Sequence, residues 1–456
     1  MRTIRSQRRR PLGGAKRRPA AGFFSEVMRD HYTGAIIVPA MRSELLRDLQ
    51  GRELIADVTT PDELDAHLTS GRRTAYVGFD PTADSLHVGS LLPLLTLRRV
   101  QLAGHRPIVL VGGGTGLIGD PSGKAGERAL NPKEQVAEWA ERLKRQVRPF
   151  LDFDRGPNAA ILADNYAWLS ELDVIGFLRD IGKHFPVGAM LARESVKARM
   201  GAGISFTEFS YQVLQAYDFM SLMLLHDCSI QLGGSDQWGN ITAGVELIRR
   251  VQGRPAFGLT MPLVTKTDGS KFGKTESGTI WLDPARTSAY EMYQFWLNTP
   301  DADVVRFLRY FTFLPPERIA ELAAVTRAVP EKREAQRVLA RDVTALVHGE
   351  PAMRKAEAVS AARFGGDPAV AADAPDALED AKRLPAEAAG WPLWKVIKEA
   401  GWVTSTSEAR RLIQGGGVEV DGVRAASIEQ STSPGRHTVK LGKRRINQLI
   451  IDAPRV

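Results

Sequence analysis

The sequence predicts an α/β chain built on a doubly wound parallel sheet, followed by a helical region and a small strand-rich end. Three observations carry this. Strand-like runs alternate with helix-period segments from Ser43 to about residue 251, the order expected of βαβ units. One strand, "PIVLVGG" (107–113), is continuously apolar, as a strand buried on both faces of a parallel sheet must be. Beyond residue 285 the patterning turns helical, and strand runs return only near the end.

The elements follow in order. "TPDELDAHL" opens a helix, with Thr60 as its cap and Pro61 and Asp62 in the first turn. "TAYVGFD" alternates as a strand and ends at Asp80. "LHVGSLLPLLTLRRVQLAG" has helical period and closes at Gly104, although Pro93 lies within it. After the apolar strand comes a charged helix, "NPKEQVAEWAERLKRQVRPFL". A helix near 206–226, a strand "SIQLGG" and a helix from about Gln237 to Val251 complete the α/β part, 41–285. Residues 286–350 read as helical. Residues 351–390, with "FGGDPAVAADAPDALEDAKRLPAEAAG" inside them, read as a linker. Residues 391–456 read as a small domain with a turn at Gly415–Gly417.

The 456 residues, 43% of them hydrophobic, suffice for two or three domains with their own cores. No apolar run approaches the roughly 20 residues that span a bilayer, so no membrane is expected. The single cysteine, Cys228, excludes a disulfide framework or a thiolate zinc site within one chain and points to a reducing compartment, here the cytoplasm. The net charge of +8 is uneven. Residues 1–40 hold nine Lys/Arg against two acids, and residues 390–456 hold eleven against six, so the long middle is slightly acidic. The first 40 residues are expected to be a disordered basic extension, with Met41 just ahead of the first convincing helix.

"PIVLVGGGTGLIGD" (107–120) contains Gly114, Gly116 and Gly119 at the spacing of a dinucleotide-binding turn. The context contradicts that reading. Asp120-Pro121 follows at once, placing a carboxylate where a pyrophosphate would sit, and the acids about 20 positions on lie on a charged helix. A phosphate loop fails too, because "GDPSGKA" has Ala125 where Ser or Thr would hold magnesium. The glycines instead let backbone approach a ligand, with Asp120 placed for a cation such as an ammonium.

Four further clusters carry chemistry. In "YVGFDPTADSLHVGS" a strand ends in Asp80 and His87 and Gly89 open a helix, whose N–H groups and dipole suit phosphate. In "KFGKT" (271–275) two lysines three apart sit in a Gly-punctuated loop that can neutralise a polyphosphate. In "FSYQVLQAYDF" Tyr211, Gln215 and Asp218 fall at i, i+4 and i+7, a polar stripe in an apolar helix. In "LGGSDQWGN" a strand runs into a turn and a helix beginning near Asp236 or Gln237, at the carboxyl edge of the sheet. Taken singly, each is also an ordinary helix end, basic loop, solvated face or turn.

Together they resemble the bacterial-type tyrosyl-tRNA synthetases, a class I aminoacyl-tRNA synthetase family, over essentially all of 41–456. "HVGS" (87–90) is similar to the "HIGH" signature, and "KFGKT" is similar to "KMSKS". "GLIGDPSGK", "ISFTEFSYQVLQAYDF" and "GGSDQWGNITAG" resemble the tyrosine-specific branch, and "SEARRLIQGGGVEVDG" resembles a small RNA-binding module. One position departs: Ser90 stands where the signature has its second histidine.

The resemblance implies a Rossmann-like doubly wound catalytic domain, a helical anticodon-side domain and a small α+β RNA-binding domain. It implies that L-tyrosine and ATP, with Mg2+, form tyrosyl-adenylate, and that the tyrosyl group passes to the 3′ end of tRNA(Tyr). His87 and Thr82 would contact the phosphates, while Lys271, Lys274 and Thr275 close over them. Asp236 would hold the ribose and Gln237 the α-phosphate, with Asp80, Gly89 and Lys274 also on the ATP side. Tyr76 and Asp218 would meet the substrate phenol, and Asp120, Tyr211 and Gln215 its ammonium. Arg410, Arg411, Lys443 and Arg444 would meet RNA. A homodimer is implied, with no prosthetic group and no metal held by the protein alone. An RNA-binding scaffold without catalysis would have lost His87 or the loop lysines, and all three are present. A tryptophan enzyme fits less well, since an indole N–H needs only an acceptor, not the Tyr76/Asp218 pair.

Overall fold

The computed structural model describes residues 41–122, 130–193, 196, 197, 200, 201, 203–265, 267, 272–275, 278–364, 382–421, 423–442 and 445–452. The basic extension expected for 1–40 lies outside them. A six-stranded sheet centres the first part, in the order β1 (Asp57–Val58), β6 (Phe257–Met261), β5 (Cys228–Gly234), β2 (Thr74–Phe79), β3 (Arg106–Val111), β4 (Ile161–Asp164). β1 is antiparallel to β6, and every other neighbouring pair is parallel. The chain steps outward from β2 to β3 and β4, then returns to the other side of β2 with β5 and β6. The strand order therefore reverses between β2 and β5, and a crevice opens at the carboxyl ends there. β4 and β6 were not among the expected strands: "ILAD" and "FGLTM" are too short and mixed to show a period.

Helices α1 (Glu44–Gly51), α2 (Pro61–Thr69), α3 (Leu91–Leu102), α4 (Lys133–Gln146), α5 (Phe206–His226) and α6 (Trp238–Gln252) surround this sheet. Thr60 is the N-cap of α2, as its sequence suggests, but its side chain makes no capping bond. Pro93 falls in the first turn of α3, where an amide has no intrahelical acceptor to lose, so the helix runs on through it. Phe219, Leu222 and Met223 of α5 pack with Ile108, Leu110 and Leu247 in one core. That packing seats the polar residues of α5 along the crevice.

The helical region comprises α7 (Ala289–Leu297), α8 (Asp301–Phe311), α9 (Pro316–Ala328), α10 (Glu334–His348) and α11 (Glu350–Phe364). α7 opens with a reciprocal capping box between Ser288 and Glu291. α11 corrects the expected linker, whose first residues are helix. "EPAMRKAEAVSAARF" is made of good helix formers, and α11 packs on α7 and α10 with Met353, Ala356 and Ala358 buried. The Pro- and Gly-rich bias begins only after it.

The helical region is keyed to the sheet domain by two buried guanidiniums. Arg52, just past α1, donates to the carbonyls of Arg309, Thr312 and Leu314 at 3.3, 3.2 and 2.9 Å. Arg99 of α3 donates to Thr312 O at 2.6 Å. They satisfy carbonyls at the carboxyl end of α8, where a cation also meets the helix dipole.

Residues 365–381 lie outside the described set, and the former linker ends in a strand, β9 (Lys382–Leu384). Two helices, α12 (Leu393–Glu399) and α13 (Thr406–Gln414), and a five-stranded sheet make up the small α+β end. Its order is β11 (Val423–Arg424), β10 (Val418–Val420), β12 (Gly435–Leu441), β13 (Arg445–Ile451), β9, with β9 parallel to β13 and the rest antiparallel. Leu393, Ile397, Ile413, Val418, Val439 and Leu449 form its core.

Candidate active site

The crevice between β2 and β5 is a cleft of about 590 Å³. Tyr76, Asp80, Thr82, His87, Gly89, Asp120, Tyr211, Gln215, Asp218, Asp236 and Gln237 all line it. A second cleft of about 720 Å³, between Leu95, Arg98, Phe153 and Phe313, holds none of them.

The floor is polar chemistry in apolar surroundings. Tyr76 on β2 is 1% exposed, with its ring 5.3 Å from that of Phe219. Its hydroxyl has no hydrogen-bond partner among the described residues, nor has Oε1 of Gln231, its registered neighbour on β5. Asp218 on α5 is 2% exposed and accepts from Asn165 Nδ2 and Trp168 Nε1, both at 2.8 Å. Burial pushes its carboxyl up to about 8; those two bonds oppose the rise, and the Asp80 and Asp164 charges add to it. Burial first, then the Asp218 charge, holds the Tyr76 hydroxyl well above its ordinary range. A buried hydroxyl without a partner is destabilising by itself, so such a floor favours a ligand that supplies the bond.

Above the floor, Tyr211 Oη donates to Asp80 Oδ2 and Thr115 Oγ1 to Asp80 Oδ1, both at 2.7 Å. Asn165 Nδ2 also donates to Thr115 Oγ1 at 2.8 Å, and its Oδ1 accepts from Gly114 N at 2.7 Å. Every polar atom of the Asn165 amide is thus engaged, which fixes its orientation. Burial, then the carboxylates of Asp80 and Asp120, raises the Tyr211 hydroxyl. Asp80, expected on the ATP side, thus accepts from Tyr211 and Thr115 within the shared cleft.

A second chain of bonds crosses to the opposite wall. Gln237 Nε2 donates to Asp120 Oδ2 at 2.7 Å. Asn240 Nδ2 donates to Gln237 Oε1 at 3.2 Å and to Gln215 Oε1 at 3.0 Å. Burial and then the Asp120 charge raise the Asp236 carboxyl. This concentration of acids gives the cleft a field suited to a cation.

At the mouth, Thr82 and His87 are exposed. His87 Nδ1 accepts the Gly89 N–H at 2.9 Å, so the proton of the neutral ring sits on Nε2. The bond also caps the short turn Val88–Ser90, so the ordinary helix-end duty and the candidate role coexist. Gly273 of the "KFGKT" segment lies beside it. Gly273 O accepts from Ile280 N at 3.0 Å, and Ile280 O accepts from Val88 N at 2.9 Å. Lys274 and Thr275 form a strand, β7, paired with β8 (Gly278–Thr279). Lys271 and the side chains of Lys274 and Thr275 lie outside the described residues.

The glycines of the 112–119 stretch have a steric cause. A Cβ at Gly112 would overlap the Asp80 carboxylate, and one at Gly113 would overlap Asp164. Thr115, Asn165, Trp168 and Asn240, which orient the acids and amides, were missed in the sequence. Their one signal was position: Thr115 and Asn165 follow β3 and β4 at the carboxyl edge, and Asn240 lies three residues past Gln237. In the small domain Arg410 and Arg411 lie on α13, with the Arg410 guanidinium 4.7 Å from the Trp394 ring centre. Lys443 and Arg444 lie outside the described residues.

A family model described as tRNA synthetases class I (W and Y) matches residues 69–365, and an S4 domain model matches 391–430. The chain is 55% identical over 388 residues to a tyrosine--tRNA ligase of Bacillus caldotenax, covering 84% of this chain and 93% of that one. It is 50% identical over 420 residues to one of Aliivibrio fischeri, covering 90% and 99%. A solved structure of a C-terminally truncated mitochondrial tyrosyl-tRNA synthetase of Aspergillus nidulans superposes with a TM-score of 0.63 at 32% identity, covering 69% of this chain and 92% of that one.

Proposed function

The chain belongs to the class I tRNA synthetases of the tryptophan and tyrosine type, and from that premise we infer that it is a tyrosine--tRNA ligase. The observation that carries the choice of amino acid is the cleft floor. The Tyr76 hydroxyl and the Asp218 carboxyl are buried together, and one of them has no partner among the described residues. A substrate phenol can satisfy both as donor and acceptor; a benzyl side chain satisfies neither. Tyrosine-specific synthetases are themselves the established example of this effect, rejecting phenylalanine by about 10⁵ without editing.

In this reading the tyrosine ammonium lies among Asp120, Tyr211 and Gln215, with Asp80 on the ATP side of the shared cleft. Its carboxylate oxygen attacks the α-phosphorus of ATP, a P–O bond to pyrophosphate breaks, and tyrosyl-adenylate forms. The terminal ribose hydroxyl of tRNA(Tyr) then attacks the activated carbonyl, and AMP leaves. No covalent intermediate with the enzyme is needed, so the protein contributes positioning and electrostatics. Gln237 orients the carboxylate and α-phosphate, Asp236 the ribose, and His87, Thr82 and the Gly89 backbone the departing phosphates. Lys271, Lys274 and Thr275 neutralise the pyrophosphate. Magnesium enters with ATP, on the phosphate oxygens, and offsets their charge.

Arg410 and Arg411, with Lys443 and Arg444, extend the reading to tRNA backbone, and the helical region serves the anticodon side. A cytoplasmic homodimer completes it. Val174, Ile175 and Phe206 are each more than 70% exposed, apolar surface that suits a second copy of the chain.

The test is amino-acid-dependent exchange of pyrophosphate into ATP with tyrosine, phenylalanine and tryptophan. Exchange with tyrosine alone is expected. Equal exchange with phenylalanine would remove the Tyr76/Asp218 assignment.

A further inference from the structure

We propose that Phe272 is a positioning residue for adenylate formation: its ring, seated among aromatic side chains of the helical region, fixes the Gly273–Lys274 backbone against the turn that carries His87. The proposal rests on the role given above to Lys274.

The Phe272 ring stacks on Phe311 at 5.4 Å and an interplanar angle of 12°. It meets Phe307 and Phe295 edge-on at 5.2 and 5.8 Å, and Trp296 at 5.8 Å. Trp296, Phe307 and Phe311 are each no more than 2% exposed, so the seat is a packed one. Ring pairs at these separations attract and prefer set orientations. All four partners belong to α7 and α8, outside the sheet domain.

The next residue is wedged on the other side. Gly273 has φ +76, and a Cβ there would come within 2.7 Å of Val88 Cγ1, in the residue after His87. Its carbonyl joins the Ile280–Val88 bonds already described. Lys274 follows immediately, and beyond the short β7–β8 pairing the backbone around it is glycine-punctuated. Three consecutive residues therefore hold a ring in the helical region, a backbone against the signature turn, and a candidate catalytic ammonium. Removing the ring releases the first of these and lets the lysine drift. Tyr76 and Asp218 lie on β2 and α5, which contribute no ring to this seat, so tyrosine affinity should be spared.

The experiment uses the full chain in four forms: unaltered, Phe272→Ala, Phe272→Met and Lys274→Ala. Single-turnover adenylate formation is followed by quenched flow, tyrosine affinity by equilibrium dialysis without ATP, and folding by thermal melting. Phe272→Ala is expected to slow adenylate formation by about 10²-fold, the effect of misplacing a reacting group by about 1 Å. Tyrosine affinity should stay within about twofold, the split expected when only transition-state contacts are lost. Phe272→Met, which refills the seat with a side chain that contacts aromatic rings well, should recover most of the rate. A slow Lys274→Ala with an unaffected Phe272→Ala overturns the proposal alone. An unaffected Lys274→Ala overturns the role of that lysine. Loss of tyrosine affinity in step with rate in Phe272→Ala, unrelieved by Phe272→Met, marks a general structural role and also overturns the proposal.

Discussion

At the scale of single residues, Asp218 has the most to answer for, because the carboxyl proposed to set specificity also couples stability to pH. Its pKa of about 8 lies above the roughly 4 of an unfolded aspartate. Between those values the unfolded chain binds fewer protons than the folded one, so this group makes stability fall as pH rises through that window. Asp218→Asn should flatten the fall in melting temperature between about pH 5 and 8 while abolishing tyrosine-dependent exchange. An unchanged slope in calorimetry would assign the titration to another group. His87, Asp218, Asp236 and their neighbours were legible in the sequence because each sits in a short contiguous motif. Asn165 and Thr115 were not, since what makes them matter is the adjacency of β3 and β4, and β4 is too short to announce itself. Asp80 was legible as a cleft residue, but its partner Tyr211, 131 positions away, could not be inferred from spacing.

At the scale of elements, the seat of α8 depends on Arg52. Its side chain is 7% exposed and donates to three carbonyls beyond the reach of α8's own amides, besides pairing with Asp48 at 2.7 Å. Arg52→Ala takes this donor from the carbonyls of Arg309 and Leu314, while Thr312 O and the Asp48 carboxylate keep Arg99. It should destabilise the chain by about 2 kcal/mol, within the range for losing hydrogen bonds to a charged group. Urea unfolding would read this, and tyrosine affinity should not change, because Arg52 lies away from the cleft. An arginine in "LQGRELIADV" looks like surface in the sequence. The helices of 286–350 were legible by period, whereas α11 was hidden by the Ala- and Pro-rich composition that follows it. The parallel sheet was legible from "PIVLVGG"; its edge strands β1 and β4, and β6 beside β1, were not.

At the scale of the whole molecule, the work divides between the sheet cleft and the small end. Deleting residues 391–456 should leave pyrophosphate exchange within about threefold and reduce charging of tRNA(Tyr) by at least about tenfold, since phosphate contacts supply much of RNA affinity. The proposed homodimer predicts that the shortened chain sediments as a dimer, because Val174, Ile175 and Phe206 remain. Full charging by the shortened chain would relocate tRNA recognition to the helical region. The pairing of β9 with β13 adds a mechanical consequence. The strands run parallel, with Leu384 beside Ile451, so the chain from the catalytic body enters at one end of the pair and Asp452 leaves at the other. Tension between the body and the carboxyl terminus would pull these neighbours in opposite directions along their shared axis. Their bonds would be loaded together, in shear, instead of being peeled one by one.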